Sequence, residues 1–343
     1  PGAAAHLWPT ARALVAAIDL LGLRRDLLMG FNAESEVNAH LRALEAYWDG
    51  TAELPAYASD VIGSRFGGDR YYDDNAWVGL ALVQLERLRP GRGHAQRAEA
   101  LFRFAAAGWD ARPDVPHPGG VFWVEQNPAA RGAGTANHDR NTVSNAPNAQ
   151  LGLHLAHLAG GERDTRRFAR AQDMYAWVNV TLDAGADAGA PGTGLFFDKL
   201  RGDGTVDHTL WTYNQGSMIG ANVLLARQAG AGRAGGVYMA RAEAIAAKAL
   251  GHYAGSYERQ PPAFNAILFR NLLQLHAATA DSGLRERIRG AIEAYAEAAW
   301  ATHRDRHDRF PFSRGGPTLL DQSAMVQIYA LLAWDPDDYG ALA

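Results

Sequence analysis

The sequence predicts an all-α protein, specifically an (α/α)6 toroid, or barrel, of helical hairpins with short strand-like insertions in its loops. Three observations lead to this fold class. Apolar residues recur with helical spacing along most of the chain, strand patterns are scarce, and two kinds of helix alternate. One kind is apolar on nearly every face, as expected for a helix enclosed by others, and the other kind is amphipathic.

The helices follow one another as hairpins. The first predicted pair covers residues 12–28 and 33–48. The helices that are apolar nearly all round are 75–88, 145–158, 216–229, 264–277 and 321–333. Amphipathic stretches separate them, at about 98–109, 168–182, 238–249 and 284–295. The apolar helices begin roughly 50 to 70 residues apart, which indicates a loose repeat. Six inner helices inside six outer ones give the toroid, and a superhelical solenoid of the same hairpins is the alternative.

The insertions between hairpins differ in composition from the helices. Residues 119–124 and 194–198 combine glycine with aromatic residues and suit short strands or loops, whereas 131–141 and 185–192 are glycine-rich loops. Insertions that precede inner helices should gather at one end of the toroid, where a binding cleft would form. No linker or break in composition interrupts the chain, so residues 1–343 are expected to form a single domain.

Composition narrows the choice of partners. The net charge of −4 and the pI near 6.3 argue against a nucleic-acid partner, and a neutral ligand fits better. No apolar run approaches the roughly 20 residues of a membrane span, and a monomer is expected. There are no cysteines, which excludes disulfides and thiolate chemistry. The chain starts at Pro1 rather than Met, so a secreted or cell-envelope location is expected if a signal peptide was removed, and a cytoplasmic one otherwise.

Two adjacent carboxylates, Asp73 and Asp74, stand where the apolar helix 75–88 begins. Burying charge is costly unless it is paired or used, so the pair suggests catalytic acids of a glycoside hydrolase. Neighbouring carboxyls a few Å apart favour a retaining mechanism, since retention needs roughly 5–5.5 Å and inversion roughly 6.5–9.5 Å. An aspartate at a helix start is also an ordinary N-cap, and the dipeptide alone does not decide between these roles.

Polar side chains also cluster at or near the starts of other inner helices. These are Asn145, Tyr213, Asn214, Gln215 and Arg270. Because the inner helices of a toroid run roughly parallel, such groups are expected to converge on one face. Amide side chains both donate and accept hydrogen bonds, which matches the hydroxyl groups of a sugar.

Several motifs resemble glycoside hydrolase family 76, the bacterial endo-α-1,6-mannanases and related fungal cell-wall proteins. The resemblance rests on the double-aspartate motif 72–77, on 119–123, 143–146 and 269–272, and above all on Trp-Thr-Tyr-Asn-Gln-Gly at 211–216. It covers residues from about 65 to 332, while the first sixty residues are less like the family.

The resemblance implies an (α/α)6 barrel that cleaves α-1,6-mannosidic bonds with retention. Asp73 would be the nucleophile and Asp74 the general acid/base. The other candidates for binding an α-mannan or mannooligosaccharide substrate are Tyr72, Asn145, Tyr213, Asn214, Gln215 and Arg270, with Trp123, Phe197 and Trp211 as stacking platforms. The mechanism requires no metal and no cofactor.

Other functions stay open at this point. The same site would suit an exo-α-1,6-mannosidase or a mannan transglycosidase, because loop closure and acceptor binding cannot be read from the sequence. A toroid of another enzyme class, such as a sugar epimerase or an unsaturated-uronide hydrolase, is a second possibility. A non-catalytic glycan-binding protein is a third.

Overall fold

A closed ring of six helices forms the interior of the protein. The computed structural model describes residues 4–63, 67–126, 137–158, 165–185, 194–313 and 315–343. The inner helices are α1 (Leu7–Leu21), α3 (Tyr72–Leu88), α5 (Thr142–Leu158), α7 (Thr212–Ala229), α9 (Pro262–His276) and α11 (Leu319–Ala333). Each packs against the next, and α11 packs back against α1. This closure confirms the toroid and excludes an open solenoid.

The inner helices are buried because their sequences are apolar or small on every face. In α5, every residue from Thr142 to Ala156 is buried. Glycines allow the closest approaches: a Cβ added to Gly79 of α3 would lie 2.5 Å from Leu151 Cδ2, and one on Gly216 of α7 would lie 2.6 Å from Leu268 Cα of α9. Both separations are too short for a side chain, so these positions set the spacing of the ring.

The outer layer consists of α2 (Ala33–Leu44), α4 (His94–Ala107), α6 (Thr165–Thr181), α8 (Arg233–Tyr253) and α10 (Ser282–Thr302). The described residues therefore contain five outer helices rather than the six expected. After α11 the chain forms a 3-10 turn at Pro336–Ala341. Asp335 and Pro336 open this turn. Among the described residues no outer helix follows α11, and Leu319 and Val326 of α11 are 46% and 38% exposed.

The first helix differs in its bounds from the prediction of 12–28. It starts at Leu7 and ends at Leu21, and the chain then enters a 3-10 turn at Arg25–Leu28. Gly22 is its C-cap, and a glycine is needed there because a Cβ would collide with the indole of Trp334. The second helix ends at Leu44 rather than at 48.

Short antiparallel strands lie in the connections between helices. The predicted strand-like insertions 119–124 and 194–198 form only isolated bridges, at Val121, Phe122, Val124 and Phe196. β1 (Trp48–Asp49) pairs with β2 (Ala56–Tyr57), and β3 (Arg140–Asn141), β4 (Lys199–Leu200) and β5 (Val206–Asp207) form a three-stranded sheet. This sheet lies at the end of the ring where the inner helices begin. The expected loops 131–141 and 185–192 fall largely outside the described residues.

None of the helices in the described ranges has both the length and the hydropathy needed to cross a bilayer.

Candidate active site

A cleft of about 370 Å³ opens where α3, α5, α7 and α9 begin. Its lining combines three carboxylates and six aromatic rings with three other residues. These are Asp73, Asp74 and Asp198; Trp8, Tyr71, Trp77, Trp123, Tyr213 and Phe264; and Asn141, Val143 and Lys199. The structure thus brings Asp73, Asp74, Trp123 and Tyr213 together from separate motifs.

A larger groove of about 740 Å³ runs between the outer helices α8 and α10, away from this cleft. Alanine and glycine line most of it, and Glu258 is the only carboxylate among its described lining residues. It lacks the paired acids that glycoside hydrolysis needs, so the smaller cleft is the candidate active site.

The start of α3 is held in place by backbone pairing. Tyr71 precedes the helix with extended backbone angles, and it forms an antiparallel bridge with Val124. The Tyr72 backbone N–H donates to the Trp123 carbonyl at 3.1 Å. Asn75 locks the turn from inside, since its amide exchanges hydrogen bonds of 2.8 and 3.0 Å with the Tyr57 backbone. These contacts fix the first helical turn, which carries both catalytic candidates.

Burial disfavours the charge of Asp73, and hydrogen bonds offset only part of this effect. Burial raises its pKa to about 6, and the negative charge of Asp198 acts in the same direction. The Trp123 indole Nε1 donates to Asp73 Oδ2 at 3.2 Å, and the backbone N–H groups of the first helical turn also lower the pKa. Asp73 is therefore largely ionised at neutral pH.

Asp74 lies in the same cleft without comparable donors. Burial raises its pKa well above the usual range, and the charge of Asp73 raises it further. Asp74 thus holds its proton more strongly than Asp73 does. That division is the one required of a nucleophile and a general acid.

Asp198 is a third carboxylate in the cleft, and it was not among the predicted site residues. Asn214 Nδ2 donates to it at 3.4 Å, and burial raises its pKa. Lys199, the next residue in the chain, forms its ion pair with Asp139 at 2.7 Å. The sequence offers one signal for this residue, because it is an acid that directly follows the segment 194–197 with its two phenylalanines. Only the sheet β3–β4–β5 brings this segment beside α3.

The aromatic side chains form contacting pairs around the carboxylates. Trp123 packs on Tyr71 with ring centroids 4.9 Å apart. Tyr213 stacks on Phe264 at 4.0 Å with the planes 2° apart. Such surfaces suit the C–H faces of pyranose rings. Trp8 of α1 also lines the cleft and contacts Trp77 of α3, with ring centroids 5.9 Å apart. Trp8 lies in the N-terminal region that the motifs did not include.

Four predicted binding residues point away from the cleft and have structural roles. Tyr72 is buried and stacks on Phe104 at 4.6 Å. Asn145 accepts from the Val121 backbone N–H at 2.7 Å, and Gln215 accepts from the Phe196 N–H at 2.7 Å. These two amides anchor the insertions to α5 and α7. The expectation of sugar contacts is corrected accordingly, because their polar atoms are already used.

Arg270 is the fourth of these residues, and it does not line the cleft either. It is buried inside the ring, where its guanidinium binds both carboxylate oxygens of Asp19.

The remaining predicted residues surround the cleft without lining it. Phe197 packs on His208 at 4.4 Å, and Trp211 meets Phe264 edge to face at 5.5 Å. Asn214 is fully buried beneath Asp198. Trp211 and Asn214 therefore contact lining residues, whereas His208 beside Phe197 does not line the cleft. Within the described ranges, no group of three or more His, Asp or Glu side chains is arranged to hold a metal ion.

Comparison with known proteins gives one family. A model described as Glycosyl hydrolase family 76 matches residues 8–324, so the match extends into the N-terminal helices. No curated protein matches the chain by sequence.

The fold is also similar to solved structures. One is the family 76 α-mannanase BT2949 of Bacteroides thetaiotaomicron, with 17% identity over 97% of this chain and 87% of that one and a TM-score of 0.78. Another is the α-1,6-mannanase of Salegentibacter sp. HEL1_6, with 21% identity over 95% and 89% and a TM-score of 0.72. An inactive variant of that mannanase, in which two consecutive aspartates are replaced by asparagine, was solved in complex with α-1,6-mannotriose. It has 21% identity over 95% of this chain and 89% of that one, with a TM-score of 0.71.

Proposed function

Because the chain belongs to glycosyl hydrolase family 76, we propose that it is a retaining endo-α-1,6-mannanase acting on mannan or on a mannan-core glycan. Membership of the family supports a glycoside hydrolase over a sugar epimerase, and the activity test below distinguishes it from a non-catalytic glycan-binding protein. The observation that carries the proposal is the Asp73–Asp74 pair, which shares one cleft and has unequal proton affinities.

The proposed mechanism has two displacements. Asp73 attacks the anomeric carbon while Asp74 donates its proton to the departing glycosidic oxygen, which leaves a mannosyl ester on Asp73. Asp74, now ionised, then takes a proton from water as that water attacks the anomeric carbon. The ester bond to Asp73 breaks, and both carboxyls return to their starting states.

Two further points support the substrate. The similar Salegentibacter structure binds α-1,6-mannotriose and is inactive without two consecutive aspartates, as Asp73 and Asp74 are consecutive here. The rings of Trp123, Tyr213 and Phe264 line the same cleft and offer flat faces to pyranose units.

The direct test is to replace each acid by its amide. Asp73→Asn and Asp74→Asn should each lower the cleavage of α-1,6-mannan by about a thousandfold or more, since each has a separate step to perform. Both variants should keep the wild-type circular dichroism spectrum. Asp114→Asn, on the exposed surface, is the matched control and should retain full activity. If either amide variant kept near-wild-type activity, its proposed role would be wrong.

The stereochemistry and the size of the products test the retaining mechanism and the endo mode of cleavage. Proton NMR of the first products should show the α-anomer, and a β-anomer would indicate inversion. A reducing-end-labelled mannohexaose should release several labelled fragments if cleavage is internal. Stepwise release of mannose alone would show exo-action, and products longer than the substrate would show transfer to an acceptor sugar.

A further inference from the structure

The segment that carries Trp123 is fastened to the residues before α3 by a short ladder of backbone hydrogen bonds. The Glu125 N–H donates to the Arg70 carbonyl at 3.0 Å, and the Tyr72 N–H donates to the Trp123 carbonyl at 3.1 Å. On its other side, the Trp123 N–H donates to the Asp139 carbonyl at 2.8 Å. This ladder therefore determines where the Trp123 indole lies relative to the carboxylates of α3.

The side chains of Arg70 and Glu125 close the ladder at one end. Arg70 Nε donates to Glu125 Oε2 at 2.8 Å, and Arg70 Nη2 donates to Glu125 Oε1 at 2.5 Å. Two parallel bonds of this kind fix the orientation of both groups as well as their separation. The side chains are only 10% and 22% exposed, so salt and water screen this ion pair little.

Arg70 is itself held by other parts of the fold. Its Nη1 donates to the Leu54 carbonyl at 2.8 Å, and its guanidinium lies 5.0 Å from the ring centroid of Phe104 of α4. Phe104 in turn stacks on Tyr72 in the first turn of α3. The guanidinium is thus a fixed point to which Glu125 and the segment before it are attached.

Neither residue of the pair lines the cleft. Arg70 and Glu125 line a separate pocket of about 220 Å³ instead. Trp123 connects the pair to the cleft, because it lies two residues before Glu125 and its Nε1 donates to Asp73 Oδ2 at 3.2 Å. That distance is near the upper limit for an N–H···O hydrogen bond, so a small displacement of the indole is enough to break it.

We propose that Arg70 and Glu125 form a positioning pair for the nucleophile: the pair holds the segment 123–125 in place, so that the Trp123 indole stays within hydrogen-bond distance of Asp73. The inference rests on the proposed role of Asp73 as the nucleophile. A purely structural role of the pair would affect stability, but it would leave the ionisation of Asp73 unchanged.

Glu125→Gln breaks the paired bonds at constant size, because an amide nitrogen replaces one of the two accepting oxygens. A looser Trp123 bonds less well to Asp73, so the acid limb of kcat/KM should move to higher pH, by up to about one unit if the whole bond is lost. The direction separates positioning from direct electrostatics. Loss of the negative charge of Glu125 acts through space in the opposite sense, because it favours the ionised form of Asp73 and moves the limb to lower pH.

A double-mutant cycle shows whether the effect passes through Trp123. In the Trp123→Phe background the indole N–H is already absent, so Glu125→Gln should move the acid limb no further. An equal shift in both backgrounds, or a shift to lower pH in Glu125→Gln alone, overturns the proposal. Glu293→Gln is the matched control, since it breaks an Arg–Glu pair of 2.6 Å on α10, and it should leave the profile unchanged. All these variants keep the other titratable groups that line the cleft, which are Tyr71, Asp74, Asp198, Lys199 and Tyr213.

An NMR measurement tests the positioning without an assay of activity. The nine tryptophans give nine indole N–H resonances, and the one missing from Trp123→Phe belongs to Trp123. In the wild type this resonance should shift with pH as Asp73 ionises, and in Glu125→Gln the dependence should weaken. The same pH dependence in both proteins overturns the proposal. A weakened dependence with an unmoved acid limb supports the positioning and refutes Asp73 as the nucleophile, so a failure of the proposed function is recognised separately.

Arg70→Lys is the second variant if Glu125→Gln fails to fold. Lysine keeps the charges balanced, but a single ammonium group cannot reproduce the two parallel bonds that the guanidinium forms with Glu125. The Trp123 resonance and the acid limb should change in the same directions as expected for Glu125→Gln. If both stayed as in the wild type, the proposal would be wrong.

Discussion

Replacing Trp123 by phenylalanine should move the acid limb of the pH–activity profile to higher pH. The indole Nε1 of Trp123 donates to Asp73 Oδ2 at 3.2 Å, and this bond stabilises the ionised form of a carboxyl whose pKa burial raises to about 6. Phenylalanine keeps an aromatic ring against Tyr71, 4.9 Å away in the wild type. It removes the N–H, so the variant isolates the hydrogen bond.

The size of the shift follows from the strength of the bond. A hydrogen bond to a charged group contributes about 1.5–3 kcal/mol, and one pKa unit corresponds to about 1.4 kcal/mol. Asp73 borders an open cleft, so water can replace part of the lost bond and the lower end applies. We therefore expect the pKa of Asp73 to rise by about one unit.

The direction in which the acid limb moves is set by the role of Asp73 as the nucleophile, because the nucleophile must be ionised. As pH rises through its pKa, kcat/KM rises to a plateau, and a higher pKa delays this rise. Below the limb the variant should lose about tenfold in kcat/KM relative to the wild type, beyond any loss on the plateau. The upper limb, where Asp74 loses its proton, should change much less.

The assay is kcat/KM on an α-1,6-mannooligosaccharide across the acidic and neutral range. Trp8→Phe is the matched control, because Trp8 lines the same cleft but contacts Trp77 rather than Asp73. It should leave the acid limb in place. If Trp123→Phe lowered the plateau without moving the acid limb, Trp123 would contact substrate but would not set the pKa of Asp73.

Three further changes have definite expected outcomes. Asp198→Asn removes a negative charge that raises the pKa of Asp73, so the acid limb should move to lower pH, opposite to the Trp123 variant. Asp19→Asn leaves the buried guanidinium of Arg270 without its counter-ion; urea unfolding should show a loss of about 3–5 kcal/mol, with kcat unchanged because the pair lies outside the cleft. Gly216→Ala places a Cβ 2.6 Å from the α9 backbone. The resulting overpacking should lower the free energy of unfolding by about 1–3 kcal/mol, again measured by urea unfolding. An unchanged free energy of unfolding would show that the ring can widen there.

The helices of the inner ring could be recognised from sequence because burial on all sides removes amphipathic periodicity. Helix 75–88 was predicted and α3 spans Tyr72–Leu88; its first turn is polar and was excluded from the apolar run. The N-terminal helix starts at Leu7, five residues before the predicted start at Arg12, although Pro9 in its first turn is a usual signal of a helix start. That error hid Trp8, which lines the cleft.

Burial on all sides makes the inner helices easy to recognise in the sequence, and it also makes their binding residues hard to predict. A helix that is buried all round has no polar face to mark its orientation, so rotation about its axis cannot be read from the sequence. Asn145 and Gln215 stand near helix starts as predicted, but they face the insertions rather than the cleft. Arg270 comes later in its helix, and its buried partner Asp19 is 251 residues away in sequence.

The sequence by itself determined the fold class, the family and the two aspartates, because each is written in local order: helical spacing, hairpin repetition and adjacent residues in one motif. Only the tertiary structure decided what surrounds them. Asp198, Trp8 and Phe264 reach the cleft through strand pairing and ring closure, and Arg70 pairs with Glu125, which follows it by 55 residues. These residues are distant in the chain, and no local pattern records which distant helices face each other. The unequal proton affinities of Asp73 and Asp74 likewise depend on burial and on the Trp123 donor, which exist only once the ring has closed.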